Sequence, residues 1–283
     1  MPPRKVPTAR QRRLGAELRK LRERAGLTLN EAAGLLGTDR TAISNTEFGR
    51  FGVSGERVRT WAAHYACTDS PYVEALMAMA EERGKGWWEE YRDSLSHAAL
   101  DLAELEHHAR ALRTVQIMHV PGLLQTEEYA RAVFAQAVPP LNATDLRRRL
   151  SHRLKRRDVL DRPDRPPCTF LIHEAALRLV FGDRKVHRAQ LEHVLRESER
   201  ENITVRVIPF SAGGFPNAGS STLYAYGPVP QLDTVQLDTA TGMDFLHTEA
   251  QLINYRGVLD RTEAISLTPK RSRDLIHHIA NQA

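Results

Sequence analysis

The sequence predicts a mainly α fold in two parts: an N-terminal domain of five short helices, then an α+β C-terminal domain with a small sheet. Three observations carry that expectation. The first 80 residues hold five apolar stripes at helical spacing, most of them opened by a residue suited to capping. Beyond Pro166-Pro167 the pattern changes to short alternating runs mixed with helical stripes. The charge is also divided. The 283 residues carry 40 Lys and Arg against 35 Asp and Glu, a net +5. Residues 1–60 have 13 basic and 6 acidic side chains, a charge of +7; the remainder has 27 and 29, a charge of −2. A basic head on a near-neutral body fits a head that meets a polyanion, and equally a solvated arm, so other signals must decide.

Composition narrows the classes further. At 41% hydrophobic and 27% charged, the chain is neither collagen-like nor disordered. Cys67 and Cys168 are too few for a disulfide scaffold and have no metal-ligand spacing. No run approaches the roughly 18 apolar residues that cross a bilayer. The basic opening MPPRKVPTARQRRL lacks the apolar centre of a signal peptide. The expected location is the cytoplasm, without membrane contact.

The first helix is expected from about Ala9 to Ala25, with Leu14, Leu18 and Leu21 on one stripe and Gly26 ending it. Thr28-Leu-Asn-Glu31 is a capping box, in which the Thr hydroxyl and the Glu carboxylate satisfy free backbone donors. Leu29, Ala32, Ala33 and Leu36 then face inward. Gly37-Thr38 makes a tight turn. Asp39 caps a third helix, Arg40 to about Phe48, with Ala42 and Ile43 inward. Ser54 opens a fourth helix with Val58, Trp61, Ala62 and Tyr65 inward, and Ser70-Pro71 a fifth.

Two short helices joined by a Gly-containing turn, the second lined with small polar residues and Arg, describe a helix-turn-helix. Residues 26–49, GLTLNEAAGLLGTDRTAISNTEFG, resemble the DNA-binding core of the phage-repressor-like XRE family through Gly26, Thr28, Ala33, Leu36, Gly37, Ile43, Ser44, Glu47 and Gly49. Leu29, Ala32 and Thr46 depart from the family's usual Gln, Leu and Ile. The resemblance implies that the third helix presents Arg40, Thr41, Ser44 and Asn45 to the major groove of double-stranded DNA. The chemistry agrees, because Arg can grip guanine and Asn adenine with two bonds each. Phosphate contacts would come from Arg4, Lys5, Arg10, Thr28, Arg50 and Arg57. Such proteins bind as homodimers with half-sites about one helical turn apart.

The C-terminal domain is expected to span 81–283, with a helical junction at 81–165 and the α+β part at 166–283, after a DNA-binding domain at 1–80. RGKGWW (83–88) marks the junction. A stripe at Trp88, Tyr91, Leu95, Ala98, Leu102, Leu105, Ala109 and Leu112 alternates spacings of 3 and 4, a heptad seam that fits a dimer contact or, more commonly, intramolecular core. Its last turn already alternates like a strand. Thr126 is placed to cap EEYARAVFAQA. RRRLSHRLKRR (147–157) reads as a second nucleic-acid surface or as a charged helix held by acidic neighbours. CTFLIH (168–173), ITVRVIPF (203–210), STLYAYG (221–227) and TVQLDT (234–239) read as strands. VHRAQLEHVLRESER (186–200), Thr248 to about Ala264, and Pro269 to about Asn281 read as helices.

RGKGWW, VPGLLQTEEYARA, HEAALR, RAQLEHV and VIPFSAGG, in this order, resemble the C-terminal domain of WhiJ-like or antitoxin-like XRE regulators of actinomycetes. The chain departs from that pattern at Val235-Gln-Leu-Asp238 and Gly219-Ser-Ser. The resemblance implies transcriptional control, with a small antitoxin-like protein encoded nearby received by the C-terminal domain. Gln125 and Glu174 sit in the recurring words and are candidates for that contact, though each is suited to a plain helix-end hydrogen bond. The alternative is a small-molecule sensor, with Trp87, Trp88, Tyr224 and Tyr226 as candidate lining.

Catalytic motifs are absent. His173-Glu174 begins like HExxH, but Leu177 holds the second ligand position. The adjacent pairs His107-His108 and His277-His278 point to different helix faces. Gly52-Val-Ser-Gly55 is one residue short of GxSxG, and Gly213-Gly214 has no following Gly-Lys-Ser/Thr. No enzyme activity, metal or cofactor is expected.

Overall fold

Local capping sets the N-terminal helices of the computed structural model, which describes residues 6–82, 86–239 and 242–283. The chain divides into two compact units, one ending at Glu89 and the other Glu90–Ala283. In the first, α1 (Ala9–Arg24) opens on a Thr8–Gln11 capping box and α2 (Leu29–Leu35) on Thr28 and Glu31. Asp39 Oδ1 accepts from the Ala42 N–H at 2.8 Å to open α3 (Arg40–Glu47). Ser54 opens α4 (Gly55–His64). The fifth helix, α5 (Ser70–Glu81), is capped by Asp69 rather than opened by Ser70, because the Asp carboxylate reaches the Tyr72 N–H at 3.1 Å. Leu18, Ala32, Ile43, Val58, Trp61, Tyr72 and Leu76 fill the core. Leu29 and Leu36 are only half-buried, so Ala32 and Ala33 alone carry the inner face of α2.

The heptad seam at 88–112 is not one helix. It breaks into a 3-10 turn at Trp87–Tyr91, then α6 (His97–His108), then strand β1 (Ala111–Gln116). The Ser96 hydroxyl accepts from Ala99 N–H and starts α6 afresh. Arg110 and Leu112 N–H groups then bond Tyr226 and Pro167 carbonyls, drawing the chain into a sheet. Leu112 is therefore sheet core, with no helical seam beside it.

The second unit continues with α7 (Glu127–Phe134), α8 (Ala143–Arg156), β2 (Cys168–His173), α9 (Glu174–Arg178), α10 (Arg184–Glu197) and β3 (Ile203–Ile208). It closes with β4 (Thr222–Tyr226), β5 (Thr234–Thr239), β6 (Gly242–Leu246), α11 (Glu249–Ile265) and α12 (Pro269–Gln282). The six strands lie in the order β3-β2-β1-β4-β5-β6. β3, β2 and β1 are mutually parallel, while β4, β5 and β6 each run antiparallel to the strand before them in that order. β6 has no counterpart in the sequence reading.

Period-two alternation separates the sheet's faces. On one, Leu112, Phe170, Val205 and Leu223 pack with Tyr129, Leu160, Leu191 and Ile276. On the other, Val115, Leu171, Tyr224 and Val235 pack with Leu252 and Leu259 of α11. Arg113, also on this second face, ties β1 to α11 through Asp260 and Glu263, each at 2.8 Å.

Several histidines over the first face have their pKa lowered, chiefly by burial. Burial, then Arg156 and Arg153, push His152 down to about 3. Burial is also the leading cause that lowers His119, His187 and His193. Unfolded histidine titrates near 6.5, so as pH falls the unfolded chain takes the proton first. The stability contributed is complete above about 6.5 and is lost progressively below it. The unfolding temperature of the second unit is expected to drop between pH 7 and pH 5, with a shallower slope in His152→Gln. A melting temperature flat over that interval would contradict neutral buried imidazoles.

Candidate nucleic-acid interface

α3 has two faces of different character. Ile43, Thr46 and Glu47 are buried, while Arg40 and Thr41 are exposed and Ser44 and Asn45 half-exposed. At 100° per residue, positions 40, 41, 44 and 45 occupy one continuous outward strip about 140° wide. Arg40 has no ion pair among the described residues, so its guanidinium is available to a ligand.

The inward face is clamped to α1. Arg22 holds Glu47 through Nε–Oε1 at 2.6 Å and Nη2–Oε2 at 2.9 Å, and donates from Nη1 to the Leu27 carbonyl at 2.8 Å. Both side chains are below a tenth exposed. The Glu47 carboxylate holds the Arg22 guanidinium above its ordinary range. Beside the pair, backbone meets backbone: a Cβ on Gly15 would fall inside contact distance of the Thr46 and Glu47 carbonyl oxygens. Gly49, at φ +69°, takes the same close approach to Gln11 and Arg12. The orientation of α3 on α1 is thus fixed by a fork of charge-assisted hydrogen bonds and by two missing side chains.

The candidate phosphate-binding residues are placed as follows. Arg50 and Arg57 are exposed; Arg50 lies 5.3 Å over Phe48 and Arg57 5.7 Å over Trp61. Arg10 donates to Glu82 at 3.0 Å. Such a partly exposed ion pair is worth only about 0–1 kcal/mol, so a phosphate can displace it. The Thr28 hydroxyl is engaged with Glu31, donating to Oε2 at 2.7 Å. Arg4 and Lys5 lie outside the described residues. The Arg22–Glu47 clamp escaped sequence reasoning, because a pair 25 positions apart leaves no local pattern.

In the second unit, the two residues singled out by the recurring words are satisfied internally. Gln125 is buried, donating to the Val120 carbonyl at 2.8 Å and accepting from Arg153. Glu174 accepts from Phe210 N–H at 2.9 Å and from Arg178 at 2.8 Å. The basic stretch 147–157 is split: Arg147, Arg148 and Arg149 are exposed, whereas Arg156 holds Glu106 through two bonds of 2.6 and 2.7 Å. None of the four candidate aromatic residues borders the cavity that lies over the first face of the sheet. Tyr224 is core, with its hydroxyl donating to Asp233 at 2.8 Å, and the Tyr226 ring lies 4.7 Å from it at a tilt of 47°. Trp87 and Trp88 belong to the first unit, edge to face at 6.0 Å. A cavity of about 220 Å³ instead lies over the first face of the sheet, bordered by Arg153, Gln125, Thr114 and Phe170 among others.

A compact helical unit that clamps one short helix with its polar face outward is a helix-turn-helix DNA-binding unit, and the chain is a DNA-binding regulator of that class. Residues 13–74 match the family model described as a helix-turn-helix domain. Residues 99–278, well over half of the chain, match the model described as a domain of unknown function (DUF5753), and the chain belongs to that family. No curated protein and no solved structure matches it. Among the described residues, no helix is long and apolar enough to cross a membrane, and no cluster of three or more His, Cys, Asp or Glu could hold a metal ion.

Proposed function

We propose that this protein is a sequence-specific transcriptional regulator of the XRE type that reads the major groove with α3. Base contacts fall to Arg40, Thr41, Ser44 and Asn45, and phosphate contacts to Arg4, Lys5, Arg10, Thr28, Arg50 and Arg57. The protein acts as a homodimer on half-sites about 34 Å apart. The observation that carries the reading is the outward polar strip of α3, held in one orientation by the Arg22–Glu47 clamp behind it. Arg40→Ala and Asn45→Ala are each expected to lose about 1–3 kcal/mol on an operator located by genome-wide footprinting, with the fold intact. Fluorescence anisotropy titrations measure this, and wild-type affinity in both variants would overturn the assignment. Arg57→Ala should instead weaken all sequences alike and reduce the salt dependence.

The second unit is the regulatory part. The resemblance to WhiJ-like and antitoxin-like regulators supports a small protein partner, encoded nearby, whose binding alters DNA affinity by favouring one arrangement of the dimer. A second reading, a one-component sensor of a small molecule, is favoured by the cavity on the sheet's first face. Footprinting with and without the neighbouring gene's product separates them: a changed footprint supports the protein partner.

A further inference from the structure

The cavity over the first face of the sheet is built around a cation with unused donors. Its floor is strand residues Thr114, Phe170, Leu223 and Gln236, and its walls include the Val120–Gln125 segment and α8. At about 220 Å³ it is below the roughly 300–1,000 Å³ typical of drug-sized ligands, so it suits a small molecule.

Arg153 reaches this space from α8, with its guanidinium 4.8 Å over the Phe134 ring. Nη1 donates to Gln125 Oε1, and among the described residues Nε and Nη2 have no acceptor. The Arg153 side chain is only partly buried and borders the cavity. The Thr114 hydroxyl, on a residue 7% exposed, is in the same position: it borders the cavity and has no hydrogen-bond partner among the described residues. Burial, and then Arg156, push the Arg153 guanidinium down to about 9, a strain that an anion beside it would relieve.

The neighbouring charges select the kind of anion. Arg156 and Glu106 cancel each other in their two-bond pair. Burial and then Arg153 lower the pKa of His119, with Asp238 acting the other way. Asp238 also borders the cavity; it is exposed and bound by Gln236 Nε2 at 2.9 Å. Arg153 supplies one positive charge within the cavity, and Asp238, exposed at its rim, opposes any negative charge beyond the first. A dianion would meet Asp238 with nothing to offset its second charge. Gln116 and Gln236 also border the space but are bonded to Ser221 and Asp238, and Leu102, Leu123, Phe170, Leu223 and Met243 give it an apolar side that suits a hydrocarbon body.

We infer that the second unit binds a small monocarboxylate with an apolar body, its carboxylate held by Arg153 and Thr114 and its hydrocarbon part against Phe170, Leu223 and Met243. A planar carboxylate matches the two free N–H directions of a guanidinium side by side. This deepens the small-molecule reading above and rests on it.

The test uses the full chain and four probes: sodium benzoate, sodium hexanoate, benzamide as a neutral isostere of benzoate, and inorganic phosphate. Titration calorimetry and thermal unfolding are expected to show binding by one or both carboxylates, at least tenfold weaker binding by benzamide, and none by phosphate. Arg153→Gln should weaken the carboxylate at least tenfold, and Thr114→Val several-fold. Should Arg153→Gln fail to fold, the benzoate–benzamide comparison on the unaltered protein and the Thr114→Val variant decide by themselves. Benzamide binding as well as benzoate, phosphate binding in preference to both carboxylates, no binding by either carboxylate, or carboxylate binding unchanged in folded Arg153→Gln would each overturn the inference. Operator affinity measured on the same samples keeps the two readings apart. Intact DNA binding without carboxylate binding sinks this inference alone, and DNA binding that survives loss of Arg40 and Asn45 sinks only the assignment of α3.

Discussion

Glu47→Ala is expected to destabilise the N-terminal unit by about 3–5 kcal/mol, the range for removing one partner of a buried ion pair. Arg22 would remain in the interior, less than a tenth exposed, with its two strongest acceptors gone and only the Leu27 carbonyl and the half-exposed Glu23, 3.7 Å away, left. Since a whole domain is worth only about 5–15 kcal/mol, much of the helical unit's stability would vanish. The three tryptophans, Trp61, Trp87 and Trp88, all lie in this unit, so urea unfolding followed by their fluorescence reports it separately from the sheet-containing unit. The paired substitution Arg22→Met with Glu47→Leu should recover most of the loss, because an apolar pair of similar volume escapes the desolvation penalty of both ions. If Glu47→Ala leaves the urea midpoint unchanged, the pair does not hold α3 in place.

Glu106→Ala should cost the second unit a similar amount, about 3–5 kcal/mol. Glu106 lies on α6 and is 4% exposed, and it accepts from both Nε and Nη2 of Arg156 on α8, whose side chain is 10% exposed. Without it, Arg156 is left uncompensated beside Arg153, which it already pushes toward the neutral form. Two neighbouring guanidinium groups would then share an interior that had balanced one of them. Calorimetry of the full chain should show a lowered transition that tryptophan fluorescence does not follow. Restoring that transition with Glu106→Leu and Arg156→Met together would confirm that the loss comes from the stranded charge; no recovery would place the effect elsewhere in α6.

Features decided by a few neighbouring residues were legible in the sequence. Thr28, Asp39, Ser54 and Thr126 each cap the helix their side chains suggest, because a cap is a contact over two or three positions. Helical spacing placed Ile43 inward, and the four outward positions Arg40, Thr41, Ser44 and Asn45 came from the family resemblance. The heptad reading failed where two periods overlap. Leu105, Ala109 and Leu112 satisfy a helical stripe, while Leu112, Thr114 and Gln116 satisfy one face of a strand. Pairing with residues more than fifty positions away, Cys168 and Ala225 among them, settled the matter. The strand order rests on the same distant pairing. RRRLSHRLKRR concealed a different fact. Arg-rich helices commonly face water, and only the positions of Glu106 and Gln125 in space draw Arg156 and Arg153 inward.

The empty places at Gly15 and Gly49 separate two kinds of evolutionary freedom. The inner side of α3 leaves no room for even a methyl group, so change there is penalised whatever the target sequence. The outward side chains are exposed at Arg40 and Thr41 and half-exposed at Ser44 and Asn45, and exchanging surface residues usually alters stability by less than about 0.5 kcal/mol. A lineage carrying this scaffold can therefore explore new outward chemistry through single steps that each leave a folded protein.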